Sequence, residues 1–320
     1  MQRISVCTPC FNECENIRRC YETIKRIFET ELPGYEREHV FSDNCSTDGT
    51  IEILREIAAS DRSVKVILNA RNFGIVRSSA NCVFSTSGAA VFMFVPADLQ
   101  DPPELMPQFL RLWEQGYEVV YGVRESRSEF PLMALARRAY YFFLKRLSTV
   151  ELPMNVSDFQ LLDRRVVQAM HQFNDFYPFL RALPFQCTSQ TVGVPYRWAA
   201  RVAGVSKNRF MQLLDQGLNG VISTTQVPTR LALFFGLIIA ACSLIYAIIN
   251  VVVAFLSTRE DVGAGIRTLI AGMFFFNGLI LLVVGILGEY ILAIHQQVRQ
   301  RPGIIERERI NFDSSDQKKS

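Results

Sequence analysis

The sequence predicts an α/β domain, a mostly parallel sheet with flanking helices, followed by a two-helix transmembrane hairpin. Three observations predict it. Short β-branched runs alternate with amphipathic stretches through the first 230 residues, the pattern of a doubly wound sheet. Two long uncharged apolar runs follow near the C-terminus. The 320 residues are 49% apolar and only 20% charged, enough for a full core, which rules out wholesale disorder.

Ile4 to Thr8 reads as the first strand, and Asn12 with Glu15 reads as a capping box opening a helix. His39 to Ser42 is a second strand, with a helix from about Thr50. Val64 to Leu68, Ala90 to Val95 and Val119 to Tyr121 are the third to fifth strands. The fourth is apolar on both faces, as a central parallel strand should be. Leu231 to Leu256 and Leu269 to Leu287 carry no charge, and about 20 apolar residues in helix cross a bilayer core. The connector, Ser257 to Arg267, is short, so both ends of the hairpin face one compartment.

Arg201, Lys207, Arg209 and Arg230 precede the first run, and Arg299, Arg301, Arg307 and Arg309 follow the second. The positive-inside rule therefore puts the N-terminal domain and the tail in the cytoplasm. Met1 to Pro9 has no apolar core of a signal peptide. The expected organisation is a cytoplasmic domain over 1–206, with a possible interfacial amphipathic helix at 131–147. A juxtamembrane helix at 207–230, spans at 231–256 and 268–294, an external loop at 257–267 and a cytoplasmic tail at 295–320 complete it.

The net charge of +3 argues against a nucleic-acid binder. The eight cysteines are expected as reduced thiols, and Cys7-Thr-Pro-Cys10 lacks the second half of a zinc site. The dinucleotide fingerprint GxGxxG and the P-loop are both absent. Ligands of such sheets bind at the carboxyl ends of the strands, where this chain is acidic. Asp43 closes the second strand and Asp98 follows the fourth, within Pro96-Ala97-Asp98-Leu99-Gln100-Asp101-Pro102-Pro103-Glu104. A carboxylate beside a Gln carbonyl suits Mg²⁺ or Mn²⁺. Asp101 and Glu104 read as helix capping residues, and Asp48 as the N-cap of the second helix.

Pro9-Cys10-Phe11-Asn12-Glu13, Ser46-Thr47-Asp48-Gly49-Thr50, Arg71-Asn72-Phe73-Gly74 and the Asp98 to Glu104 segment occur in that order. Asp158-Phe159-Gln160-Leu161, Arg201-Val202-Ala203-Gly204-Val205-Ser206-Lys207 and Gly285-Ile286-Leu287-Gly288-Glu289-Tyr290 follow. Together they resemble the family 2 glycosyltransferases of the Rossmann-like GT-A fold. The branch it resembles is that of the polyprenyl-phosphate glycosyltransferases, which include bactoprenol glucosyltransferases and dolichyl-phosphate mannose synthases.

The resemblance implies inverting transfer of one hexose from a nucleotide-diphosphate sugar, UDP-glucose-like, to a polyprenyl phosphate at the cytoplasmic membrane face. It implies that Pro9, Glu13, Asp43 and Asp98 meet the nucleotide sugar. Asp98 and Gln100 would hold the metal, and Asp158 would stand near the reacting sugar. Arg201 and Lys207 would clamp the acceptor phosphate, and the assembly would be a homo-oligomer, with a tetramer favoured. Two positions depart from the pattern: Pro96 stands where a first Asp is usual, and Asn44 where a second acid often follows Asp43. Two rivals remain: a processive polysaccharide synthase, and a membrane scaffold built on a weakened transferase.

Overall fold

The computed structural model describes residues 1–124, 153, 155–197, scattered positions between 234 and 249, 262–298 and 303–312. The expected interfacial helix at 131–147, the juxtamembrane segment and both proposed phosphate ligands, Arg201 and Lys207, lie outside the described residues. So does most of the first apolar run.

The strands are β1 (Gln2–Cys10), β2 (Tyr35–Asp43), β3 (Val64–Asn69), β4 (Ala90–Phe92), β5 (Val119–Arg124), β6 (Val156–Asp163), β7 (Thr191–Tyr196) and β8 (Glu306–Ile310). They form one sheet in the order β7-β5-β6-β4-β1-β2-β3-β8. The sheet is mixed rather than nearly all parallel. β1 runs parallel to β2 and β4, β2 to β3, and β5 to β7. β6 lies antiparallel between β4 and β5, and β8 antiparallel to β3.

β1 is buried at its last seven positions because helices cover both faces. Helix α1 (Ile17–Thr30) turns Ile17, Cys20, Tyr21, Ile24, Ile27 and Phe28 inward, a stripe at helical spacing. Helices α2 (Thr50–Ser60), α3 (Ile75–Phe84), α4 (Met106–Glu114), α5 (Arg164–Gln172) and the single turn α6 (Pro184–Cys187) complete the domain. Phe92, Phe109 and Phe159 pack with ring centroids 4.9–6.2 Å apart, tying β4, α4 and β6 together. Gly122, on β5 between β7 and β6, leaves room for side chains of both neighbours, since a Cβ there would stand 2.6 Å from the Tyr196 ring and 2.8 Å from Ser157 Oγ.

Both sheet edges carry features that discourage further pairing: Pro195 in β7, and Glu-Arg-Glu-Arg in β8. Helix α7 (Val262–Val298) contains the second apolar run, and its window Phe275–His295 is long and apolar enough to cross a membrane. The chain then returns at once to the sheet, so part of the expected tail is an integral strand. β8 begins with Glu306 opposite Asn69, the last residue of β3, and Ala70 N donates to Ile305 O at 2.9 Å. The apolar helix therefore ends at the carboxyl edge of the parallel strands.

Candidate active site

Four loops meet at that edge. The loop after β1 does not begin a helix at Asn12. Asn12 takes a left-handed φ of 54°, its Oδ1 accepts from Thr47 N at 2.8 Å, and its own N–H donates to Ser46 Oγ at 2.8 Å. The expected capping box with Glu15 is thus replaced by a bridge between the first two loops, and α1 starts at Ile17. Glu13 N donates to Thr50 Oγ1 at 2.9 Å, while its carboxylate accepts from Asn16 at 2.7 Å. Asp48 is not the N-cap of α2, which is Gly49 at a left-handed φ of 89°; it stands one residue before that cap, where Oδ1 takes Thr50 N at 3.2 Å and Oδ2 takes Cys14 N at 3.2 Å. Burial pushes its carboxyl up, but the Thr50 and Cys14 hydrogen bonds outweigh that and leave it below its ordinary value.

Asp43 is fully buried at the end of β2 and accepts from the backbone and hydroxyl of Ser46. Burial raises its carboxyl in spite of those bonds. Pro9 sits one residue before the end of β1, in register with Ser42. Asn44 is a connector. Its Nδ2 donates to Asn72 Oδ1 at 2.9 Å, and its Oδ1 accepts from Phe73 N at 2.9 Å and Asn69 Nδ2 at 3.2 Å. That accounts for Asn72 and Phe73 of the Arg71-Asn72-Phe73-Gly74 motif, which this amide ties to the end of β2.

β4 ends at Phe92, and Asp98 lies beyond it in a turn closed by Leu99 N donating to Pro96 O at 3.0 Å. Leu99 takes a left-handed φ of 54° there, and Asp98 Oδ1 accepts from Gln100 N at 3.3 Å. Asp101 is not a helix cap; the residue preceding the first helical turn is Pro102. Asp101 is instead 1% exposed, takes Arg124 Nη2 on both oxygens at 3.0 and 3.2 Å, and accepts from the Tyr196 hydroxyl. Burial pushes Asp101 up, so Arg124 and Tyr196 are what favour its ionised form. Burial and the Asp101 charge drive the Tyr196 phenol up to about 12.

β6 brings Asp158 to the same edge, since Phe92 pairs with Leu161 and Met93 N donates to Gln160 O. Arg181 holds the Asp158 carboxylate in a fork at 3.0 and 2.5 Å. Arg124, Tyr196 and Arg181 carry no local sequence signal: their partners lie 23, 95 and 23 residues away. Cys7 and Cys10 are buried free thiols.

No group of three His, Cys, Asp or Glu suited to a metal occurs among the described residues. Asp98 and Gln100 offer one carboxylate and one amide oxygen. That set fits a Mg²⁺-like ion that takes its remaining ligands from phosphates and water, and does not fit a caged structural metal.

Buried acids gathered at the carboxyl edge of an α/β sheet define a ligand-binding domain of the doubly wound type. Residues 5–170 match the model for glycosyl transferase family 2, and the chain belongs to that family and is a glycosyltransferase. It is 33% identical over 307 residues to a bactoprenol glucosyl transferase of Shigella phage SfII, covering 95% of this chain and 97% of the relative. It is 32% identical over 300 residues to an uncharacterized glycosyltransferase, YkcC, of Bacillus subtilis (strain 168), covering 93% and 91%. Among solved structures it resembles the mannosyltransferase PcManGT from Pyrobaculum calidifontis in complex with GDP-Man and Mn²⁺. That match has 15% identity and a TM-score of 0.45, covering 94% and 88% of the two chains.

Proposed function

We propose that the protein transfers a single hexose, glucose favoured, from a nucleoside-diphosphate sugar to a polyprenyl phosphate at the cytoplasmic membrane face, with inversion. The observation that carries this reading is that α7, ending at Val298, is followed within a few residues by β8, whose first residue, Glu306, stands opposite Asn69 at the end of β3. It sets an apolar, membrane-length helix against the sheet edge that bears Asp43 and Asp98. A lipid acceptor needs that juxtaposition, and a soluble acceptor does not. The named relatives support the lipid class.

Pro9, Glu13 and Asp43 line the edge where the nucleoside would lie. Asp98 and Gln100 would hold a Mg²⁺ or Mn²⁺ ion, whose charge offsets that growing on the departing diphosphate. The acceptor phosphate, with a second pKa near 6, is largely ionised at neutral pH and needs no strong base. Asp158, engaged on both oxygens by Arg181, is better suited to orient the sugar than to abstract a proton. Arg201 and Lys207 are proposed for the acceptor phosphate.

Strand parity supports a second crossing. β8 and β3 share a sheet, so a chain that leaves the domain's compartment through α7 must cross once more between 197 and 262. Gly278, Gly285 and Gly288 face open space on α7, which suits close approach of neighbouring helices in a homo-oligomer, with a tetramer favoured. The test is mass spectrometry of lipid products made with a panel of nucleotide sugars. A lipid-linked monosaccharide is expected; a long polymer or no product would overturn the reading.

A further inference from the structure

At the foot of α7, three loops of the catalytic domain converge. Gln297 accepts from Phe176 N and donates to Asn174 O, each at 2.8 Å, which fastens the loop after α5 to the last turn of the helix. Arg77, in the first turn of α3, reaches Gly303 O at 3.5 Å and lies 5.1 Å from the Phe176 ring centre. These contacts place the loops in depth. Gln297 is two residues past His295, the end of the apolar window, or about 3 Å along the axis. The headgroup layer is about 5–7 Å thick on each side of the hydrocarbon core. A helix embedded to His295 therefore carries these loops in that layer.

Their composition matches the placement. Ile75, Phe173 and Ile305, one from each loop, are 50%, 44% and 56% exposed, although large apolar side chains elsewhere in the domain are mostly buried. Arg71 and Arg77 stand beside them, both over the face of Phe73 at 4.1 and 5.5 Å, and neither has a carboxylate partner among the described residues. Burial and the Arg71 charge both work against the charge on Arg77 and Tyr177 favours it, so two like charges share this corner on the Phe73 ring. Asp175 is the opposing charge in the loop after α5, and it too makes no ion pair among the described residues.

The geometry points to a membrane-contact surface on the catalytic domain itself: Ile75, Phe173 and Ile305 enter the headgroup layer of an anionic bilayer, and Arg71 and Arg77 meet its phosphates. This rests on the membrane reading above and adds to it. The domain is pressed onto the bilayer by its own loops, so the donor site does not depend on the helix alone for its height above the lipid. Exposed apolar side chains ringed by arginine are the composition of an interfacial surface.

The test uses the full chain in anionic nanodiscs whose lipids carry bromine near the top of the acyl chains. Tryptophan is placed singly by Ile75→Trp, Phe173→Trp, Glu56→Trp on the exposed face of α2, and Leu281→Trp in the middle of the apolar window. Fluorescence quenching is read against the parent chain. Quenching at Phe173→Trp and Ile75→Trp should exceed that at Glu56→Trp by roughly twofold or more, as side chains a few ångströms deep require. In the Phe173→Trp background, Arg71→Gln with Arg77→Gln should remove the extra quenching gained on going from zwitterionic to anionic lipid. Circular dichroism and nucleotide binding confirm folding. Quenching at Leu281→Trp with none beyond the Glu56→Trp level at the two loop positions overturns the surface and leaves the membrane helix standing. No quenching at Leu281→Trp overturns the membrane reading, and the surface falls with it.

Discussion

Asn44 Nδ2 donates to Asn72 Oδ1 across 2.9 Å, and that bond decides how the residue after Asp43 should be understood. A carboxylate can accept from Phe73 N and Asn69 as Asn44 does, but it cannot donate. The amide is therefore a working part of the edge, holding the 71–74 loop against β2, and not the remnant of a lost acid. Asn44→Asp should cost about 1–3 kcal/mol by taking from Asn72 Oδ1 its cross-loop donor, with only Gly74 N left to it, and by setting a second charge beside Asp43. Unfolding temperature and nucleotide affinity should fall together. A variant with unchanged melting and faster turnover would show that the position wants an acid.

Asp101→Asn makes the opposite point about an acid that looks dispensable. As a helix cap, Asn would serve about as well. As the buried partner of Arg124, its loss takes the paired carboxylate from a guanidinium that is only 16% exposed and leaves the weaker pull of Asp158. The expected cost is on the order of 3 kcal/mol, the low end for breaking a buried pair. Tyr196→Phe, which removes one hydroxyl from the same cluster, should cost about 1 kcal/mol. Thermal unfolding of both variants separates the cases, and a loss below that of Tyr196→Phe would restore the capping role.

These two residues show where the sequence was legible. β1 to β5 were readable because runs such as Ile4 to Thr8 and Ala90 to Val95 are short, apolar and β-branched, and all five appear. β6 does not read as a strand, because Ser157, Asp158 and Gln160 interrupt its apolar pattern. Ser157 and Gln160 are nonetheless fully buried and hydrogen-bonded there. β8 is charged at four of its five positions and reads as tail; only its pairing with β3 makes it a strand. Asp43 is legible because it ends a readable strand; Asp98 lies six residues past β4, which stops at Phe92 short of the expected Val95, and is legible only through its acidic motif. Arg124, Tyr196 and Arg181 are not legible, since an ion pair between residues far apart leaves no local pattern. Asp-Pro-Pro-Glu misled because it imitates a helix start.

Topology can be checked directly. Reporters fused at the N-terminus and at Ser320 should read the same, cytoplasmic side, because β8 and β3 share one sheet. A reporter in the 257–267 connector should read external. Opposite sides for the two ends would contradict both the hairpin and the strand pairing.

The acid limb of the stability curve should report on Asp61. Burial would push this carboxyl up, but Ser63, the Arg37 charge and Tyr21 outweigh it and hold it at about 2, against 3.8 for the ordinary group. A depressed carboxyl stabilises the fold fully above its unfolded value and loses that contribution as pH falls through the folded one. The window is therefore about pH 4 down to about pH 2, and the contribution is at most about 2 kcal/mol. Asp61→Asn should be less stable than the parent at pH 6, and the gap should close as the pH falls through that window. A gap independent of pH in denaturant unfolding would remove Asp61 as its source.

The sharpest prediction concerns Asp98. It is 7% exposed in a turn whose backbone is fixed by the Pro96 to Leu99 hydrogen bond and by Gln100 N on its own carboxylate. Asp98→Asn keeps the shape, and the amide oxygen can still accept from Gln100 N, so the loss should fall on turnover ahead of melting. If the charge contacts a cation that steadies the leaving diphosphate, its loss should cost roughly 10²-fold or more in kcat. Asp101→Asn should show the reverse signature, with melting lowered first. The measurement is lipid glycosylation across Mg²⁺ and Mn²⁺ titrations, with circular dichroism as the check on folding. A folded Asp98→Asn enzyme with near-normal, metal-dependent turnover refutes the assignment. Pro96→Asp is the companion: Pro96 contributes its carbonyl to the turn, and Asp keeps that carbonyl. Half-maximal rate at a lower metal concentration would place position 96 at the cation. An unchanged titration would leave Asp98 as the acid of this turn that the cation meets.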